Sequence, residues 1–214
     1  MNKSFSSDAV TNAIFKSIQE CGKKSSNIQE LLKLLSQKGI VANSLLQIFP
    51  DKSQKLDVFN ILFEFYKKKQ LCENEKLAIL RELVNLNIKK KEICSIILKE
   101  IEFVKTHDSC DSCWALCDFL YTLKQSEFKD EYIKIALCKK MGVSRQMIFL
   151  LMGRLKDDCF IPVILNSLDD ATVNGHALSA LSNYPESKYD IYFTSFLNDK
   201  RSWVKKIAKK RLIK

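Results

Sequence analysis

Three nine-residue frames decide the fold: Met147–Leu155 reads MIFLLMGRL, Val173–Leu181 reads VNGHALSAL, and Val204–Leu212 reads VKKIAKKRL. Each puts an apolar residue at its first, fifth and ninth positions: Met147, Leu151 and Leu155, then Val173, Ala177 and Leu181, then Val204, Ala208 and Leu212. That spacing draws one stripe along an α-helix, because side chains four apart lie one above the other. The frames start 26 and 31 residues apart, and between them lie a second short apolar segment, IPVILNSL (161–168) or YDIYFTSFL (189–197), and an acidic turn, LDDATV or LNDKRSWV. Asp170 and Asp199 stand where a side-chain oxygen would cap the next helix. The unit is helix, turn, helix, repeated at short period.

The same period runs outward through the chain. IQELLKLL (28–35), LDVFNILFEFY (56–66), LAILRELVNL (77–86) and ICSIILKEIEFV (93–104) repeat apolar residues at i, i+3, i+4 and i+7, with short polar breaks between them. Nothing alternates cleanly over five or more positions, as a half-buried strand would. Only 5 Gly and 3 Pro in 214 residues leave little punctuation for the turns of a sandwich or barrel. The spacing predicts an all-α protein of about a dozen helices of roughly 9 to 16 residues.

Short helical pairs cannot bury their apolar faces alone, so they stack into an array with one helix of each pair lining a concave surface; a compact irregular bundle is the alternative. An apolar helix, an acidic turn and then V-x-x-x-A-x-x-x-L, as in Val173-Ala177-Leu181 and Val204-Ala208-Leu212, resembles the second helix of HEAT repeats. The resemblance implies a right-handed α-solenoid of about six helical pairs forming one domain over 1–214. It is clearest in 111–214, with irregular pairs before that. A non-enzymatic scaffold is expected, binding a macromolecule on its concave surface, most naturally a protein, as a monomer and without a cofactor. An adaptor or immunity-type inhibitor that neutralises a toxin is a further possibility.

Eight cysteines would suit a disulfide scaffold only in a short secreted chain, and MNKSFSSDAVTNAIF lacks the apolar core of a signal peptide. Reduced thiols in a cytoplasmic protein are expected. Cys21, Cys72, Cys94, Cys138 and Cys159 sit singly in periodic patterns and read as small buried hydrophobes. No window approaches ~18 consecutive apolar residues, so no membrane span is expected.

One stretch, HDSCDSCWALCDF (107–119), concentrates chemistry. His107, Cys110, Cys113 and Cys117 are ligand types that zinc prefers, but H-x2-C-x2-C-x3-C is too compressed for two separated ligand pairs. A zinc site and a redox thiol pair are therefore alternatives to the leading reading, a loop entering an ordinary helix near Asp111. On that helix Trp114 and Asp118 are four apart and share a face. The pair resembles the Trp-x-x-x-Asp element of alkylpurine DNA glycosylases built from HEAT-like repeats. There the carboxylate stabilises a positively charged deoxyribose as the base leaves, and an Arg helps to hold the DNA. Arg145 or Arg154 matches that Arg, whereas the second Trp of the family's pattern has no counterpart: Trp203 stands at the start of its helix. The plain reading is core packing for Trp114 and a surface carboxylate for Asp118.

The net charge of +10 is local. Residues 200–214 hold 8 Lys or Arg and no acid, leaving 27 bases against 25 acids elsewhere. Lys205, Lys206, Lys209 and Lys210 are expected to project opposite the stripe of Val204, Ile207, Ala208 and Leu212. Arg154 and Lys139 are further candidates for the same anionic partner. Nucleic acid is one such partner, and a polar face that keeps the array soluble is the other explanation. His176 reads as a hydrogen-bonded structural histidine, and Gly175 as permitting close helix approach. No P-loop, dinucleotide fingerprint or nucleophile elbow occurs in the sequence.

Overall fold

The computed structural model describes residues 25–68, 70–106 and 111–213. Among them every regular element is helical, eleven α-helices and five 3-10 turns, with no strand. They fall into two compact units, Met1–Ile101 and Glu102–Lys214.

The first unit holds α1 (Ser26–Ser36), α2 (Lys55–Lys68), α3 (Glu73–Leu86) and most of α4 (Lys90–Thr106). The α1 helix begins where the Ser25 hydroxyl accepts the Ile28 N–H at 3.2 Å, and it buries Ile28, Leu31, Leu32 and Leu35, one stripe of the expected period. The α2 helix packs on both α1 and α3. Burial extends around most of α3, which hides polar Glu75, Arg81 and Glu82 together with Leu77, Ile79, Leu80 and Leu83. Those polar groups are accounted for. Glu75 accepts from the Cys72 N–H at 2.8 Å and from Asn27 Nδ2 at 3.2 Å, which ties the start of α1 to the start of α3. Arg81 donates through Nε and Nη2 to Glu82 at 2.9 and 2.5 Å. Burial raises the Glu82 pKa, and Arg81 works against that rise.

The second unit holds α5 (Asp111–Leu123), α6 (Lys129–Leu137), α7 (Arg145–Leu155), α8 (Ile161–Asn166), α9 (Asn174–Leu181), α10 (Ile191–Thr194) and α11 (Ser202–Leu212). The packing is regular: α5 lies against α7, α7 against α9, and α9 against α11. The intervening helices form a second row, with α6 on α7 and α8, α8 on α9, and α10 on α11. The stripe of the three frames is the buried one. Val173, Ala177, Leu181, Leu151, Val204 and Ala208 are wholly inaccessible, and Met147 is buried, while Leu155 and Leu212 at the frame ends are half-buried.

Two glycines set the spacing. A Cβ on Gly153 of α7 would stand 2.7 Å from the Ala180 Cα of α9, and one on Gly175 of α9 would stand 2.6 Å from the Trp203 ring of α11. Both are closer than real Cβ contacts, so these helices meet where a side chain is missing.

The structure differs from the expectation in three places. The second-row helices are shorter than the periodicity predicts. YDIYFTSFL gives only the four α-residues of α10, because successive N–H groups bond three residues back and the Thr194 and Ser195 hydroxyls donate to the carbonyls of Ile191 and Tyr192. Asp170 and Asp199 do not cap the helices themselves. Their carboxylates accept from the N–H of Thr172 at 3.0 Å and Arg201 at 2.8 Å, two residues ahead, and so close the turn that leads into each helix. Of the single cysteines, Cys94 is buried and Cys138 half-buried, but Cys72 and Cys159 are exposed because each lies where a helix or 3-10 turn begins. Cys21 lies outside the described residues.

Candidate functional site

The arginines of the second unit are fastenings between elements. Arg145 is 3% exposed; its Nη2 donates to Asp170 at 2.9 Å, its Nε to the Gly142 carbonyl at 3.1 Å and its Nη1 to the Ala136 carbonyl at 3.3 Å. One guanidinium thus holds the end of α6, the start of α7 and the turn before α9. Arg145 holds the Asp170 carboxyl below its usual range, against the opposing effect of burial. Arg201 repeats the arrangement one turn on: it donates to Asp199 at 2.8 and 3.0 Å and to the Asn174 side-chain oxygen at 2.8 Å, which links the turn before α11 to the start of α9. Arg211 is buried and donates to Asp190 at 2.6 Å and to the carbonyls of Tyr184 and Glu186 at 2.9 and 2.8 Å. Charge-assisted bonds in fixed geometry suit the planar, five-donor Arg fork.

The lysines do the opposite. Lys206, Lys209 and Lys210 are exposed and Lys205 is half-buried; with Lys200, Ser202 and Ile213 they line one open depression of about 500 Å³ along α11. None of the five lysines forms an ion pair among the described residues. The stripe that carries α11 onto α9 and α10 is Val204, Ala208 and Arg211, a four-then-three spacing, so the sequence did contain the signal that Arg211 faces inward.

The α5 helix buries most of the residues singled out for chemistry. Cys113 and Cys117 are 2% and 0% exposed, and Trp114 is 9% exposed. His107 and Cys110 lie outside the described residues, and no group of three His, Cys, Asp or Glu side chains suited to a metal occurs among the described ones. Asp118 is half-buried, forms no hydrogen bond among the described residues, and has its pKa raised by burial. Arg154 is exposed but anchored to α5: its Nη1 donates to the Tyr121 carbonyl at 3.1 Å and its guanidinium lies 4.4 Å from the centre of the Tyr121 ring. Lys139 is exposed and stands with Arg145, Asp169 and Asp170 around a separate polar depression, where two carboxylates balance two cations. Neither Arg154 nor Lys139 lines the lysine depression on α11.

His176 departs from its expected role. Its Nδ1 is buried without a hydrogen-bond partner, and its ring lies 5.1 Å from that of Trp203 at a tilt of 57°. Burial, then the nearby Arg201 charge, lower its pKa from 6.5 to about 4. Gly175 does permit close approach, and what approaches is the Trp203 indole.

No helix among the described residues is long and apolar enough to cross a membrane. No family model, curated protein or solved structure matches the chain.

Proposed function

We propose that the chain is a non-enzymatic helical-repeat scaffold of HEAT-like pairs whose role is to hold a macromolecular partner. The observation that carries this reading is the regular packing of α5, α7, α9 and α11, each on the next, with α6, α8 and α10 in a second row. The turn fastenings Arg145 to Asp170 and Arg201 to Asn174 recur along it. Such arrays expose one face of each successive helix, and their work is done on that extended surface. A protein is the general expectation for the partner. Photoreactive side chains placed singly at Lys206, Arg154 and Asn166, each outward-facing, test the reading in cells. A discrete crosslinked species from at least one position is expected; recovery of the uncrosslinked chain alone from all three contradicts it.

Asp118 supports a second reading, DNA glycosylase activity, because it is a half-buried carboxylate without a hydrogen bond among the described residues, one helical turn from Trp114. Against it, Trp114 is packed in the core and Arg145 is committed to Asp170 and two carbonyls. A duplex carrying 7-methylguanine or 3-methyladenine is expected to lose base no faster than in buffer. Release that Asp118→Asn abolishes would move the assignment to the second reading.

A further inference from the structure

We propose that the lysine face of α11, Lys205, Lys206, Lys209 and Lys210 extended by Lys200, is a docking surface for the phosphodiester backbone of nucleic acid. It is bound through its phosphates, with no reading of base sequence. The proposal rests on the scaffold reading and adds to the protein expected there a nucleic-acid partner on this one face.

Of the bases in 200–213, Arg201 and Arg211 are consumed by carboxylates and carbonyls of the fold, while the five lysines, four exposed and Lys205 half-buried near Asp199, line one depression without ion pairs among the described residues and with no acidic residue lining it. Like charges one turn apart on a helix cost a few tenths of a kcal/mol each, so the face is mildly unfavourable until an anion neutralises it.

The kind of anion follows from what the face lacks. Protein–protein interfaces concentrate aromatic residues, Met and Arg at their centres and are depleted in Lys. Among the described residues the only apolar side chain lining the depression is Ile213; the Trp203 indole, 39% exposed and packed over Gly175, does not line it. A lipid surface is disfavoured by the same geometry, since membrane-surface helices bury their apolar face in the bilayer and that of α11 is turned inward, with Val204 and Ala208 wholly buried and Ile207 and Leu212 half-buried. A row of Lys point charges, Lys205 to Lys209 and Lys206 to Lys210, each about 6 Å apart along the axis, suits a regular polyanion. Lysine supplies point charges that neutralise phosphates and lacks the rigid planar fork of Arg.

Fluorescence anisotropy of the full chain with a labelled mixed-sequence DNA duplex tests this, with an RNA duplex and a single strand as further arms. We expect binding in the micromolar range that is insensitive to base sequence, and a slope of log K on log salt near −4 for four to five phosphate contacts, so that affinity falls about 250-fold between about 50 and 200 mM salt. Lys206→Glu/Lys210→Glu is expected to weaken binding at least tenfold with unchanged thermal unfolding, whereas Lys206→Arg/Lys210→Arg retains it. The same charge change elsewhere, Lys33→Glu/Lys38→Glu, both exposed in the first unit, is expected to leave affinity within about twofold.

Equal loss in the Lys33/Lys38 variant overturns the proposal, because binding would then report net charge. So does tighter binding to a poly-glutamate peptide or to anionic phosphatidylserine vesicles than to the duplex. Absence of duplex binding while crosslinks to a protein persist in cells removes the phosphate assignment alone and leaves the scaffold reading standing.

Discussion

Arg145 and Arg154 occupy the same helix and have opposite fates, which makes them a controlled comparison. Arg145 is buried against Asp170 with two further carbonyl acceptors, whereas Arg154 lies exposed on the Tyr121 ring. Removing one partner of a buried pair leaves the other charge uncompensated, so Arg145→Met is expected to cost about 3 kcal/mol in urea denaturation. Arg154→Met should cost less than about 1 kcal/mol, because exposed cation–π contacts contribute little. Equal costs would show that the fastening role of Arg145 is wrong. His176 gives a pH signature. Its folded pKa of about 4 lies below the 6.5 of the unfolded chain, so the unfolded state binds the extra proton first. The contribution of His176 to stability is complete above about pH 6.5, declines as pH falls, and is gone near pH 4. His176→Phe is expected to flatten the thermal-unfolding midpoint across that window; an unchanged slope would place the titrating group elsewhere.

At the scale of elements, the close approaches at Gly153 and Gly175 order two substitutions. Gly153→Ala drives a methyl into the Ala180 backbone, which cannot turn away, while Gly175→Ala meets side-chain atoms alone, the far edge of an indole that is 39% exposed and a methyl of buried Val204. Overpacking of this kind costs about 1–3 kcal/mol, and the larger cost is expected for Gly153→Ala in a comparison of denaturation midpoints. The reverse order would mean that α7 and α9 separate more readily than Trp203 moves. The helices themselves were legible because apolar periodicity is a local signal: IQELLKLL, LAILRELVNL and the frames at Met147 and Val204 fall inside a helix of the structure, and the third frame starts at Val173, the residue that precedes α9. The second row was less so. The Thr194 and Ser195 hydroxyls bond carbonyls three residues back while the backbone of YDIYFTSFL closes in three-residue turns, a competition that apolar spacing does not record. The bonds of Arg145 to Asp170 and of Arg201 to the Asn174 side-chain oxygen span 25 and 27 residues. They depend on where the turns fall, so spacing alone named the aspartates as caps and missed what they bind.

Over the molecule as a whole, the +10 charge divides by chemistry. In 200–213 the arginines close the fold and the lysines are presented outward, a division that residue counts merge into one basic segment. The Trp114 and Asp118 pair was readable as a shared helix face, but which way that face looks was not, since it depends on α7 covering α5. The most direct test of the account is lysine footprinting: acylation rates of the full chain, read by mass spectrometry with and without saturating duplex DNA. Selective protection of Lys205, Lys206, Lys209 and Lys210 with Lys33 and Lys38 unchanged is the predicted result. Uniform protection across both units, or none on α11, would contradict the assignment of that face as the site where this scaffold meets its partner.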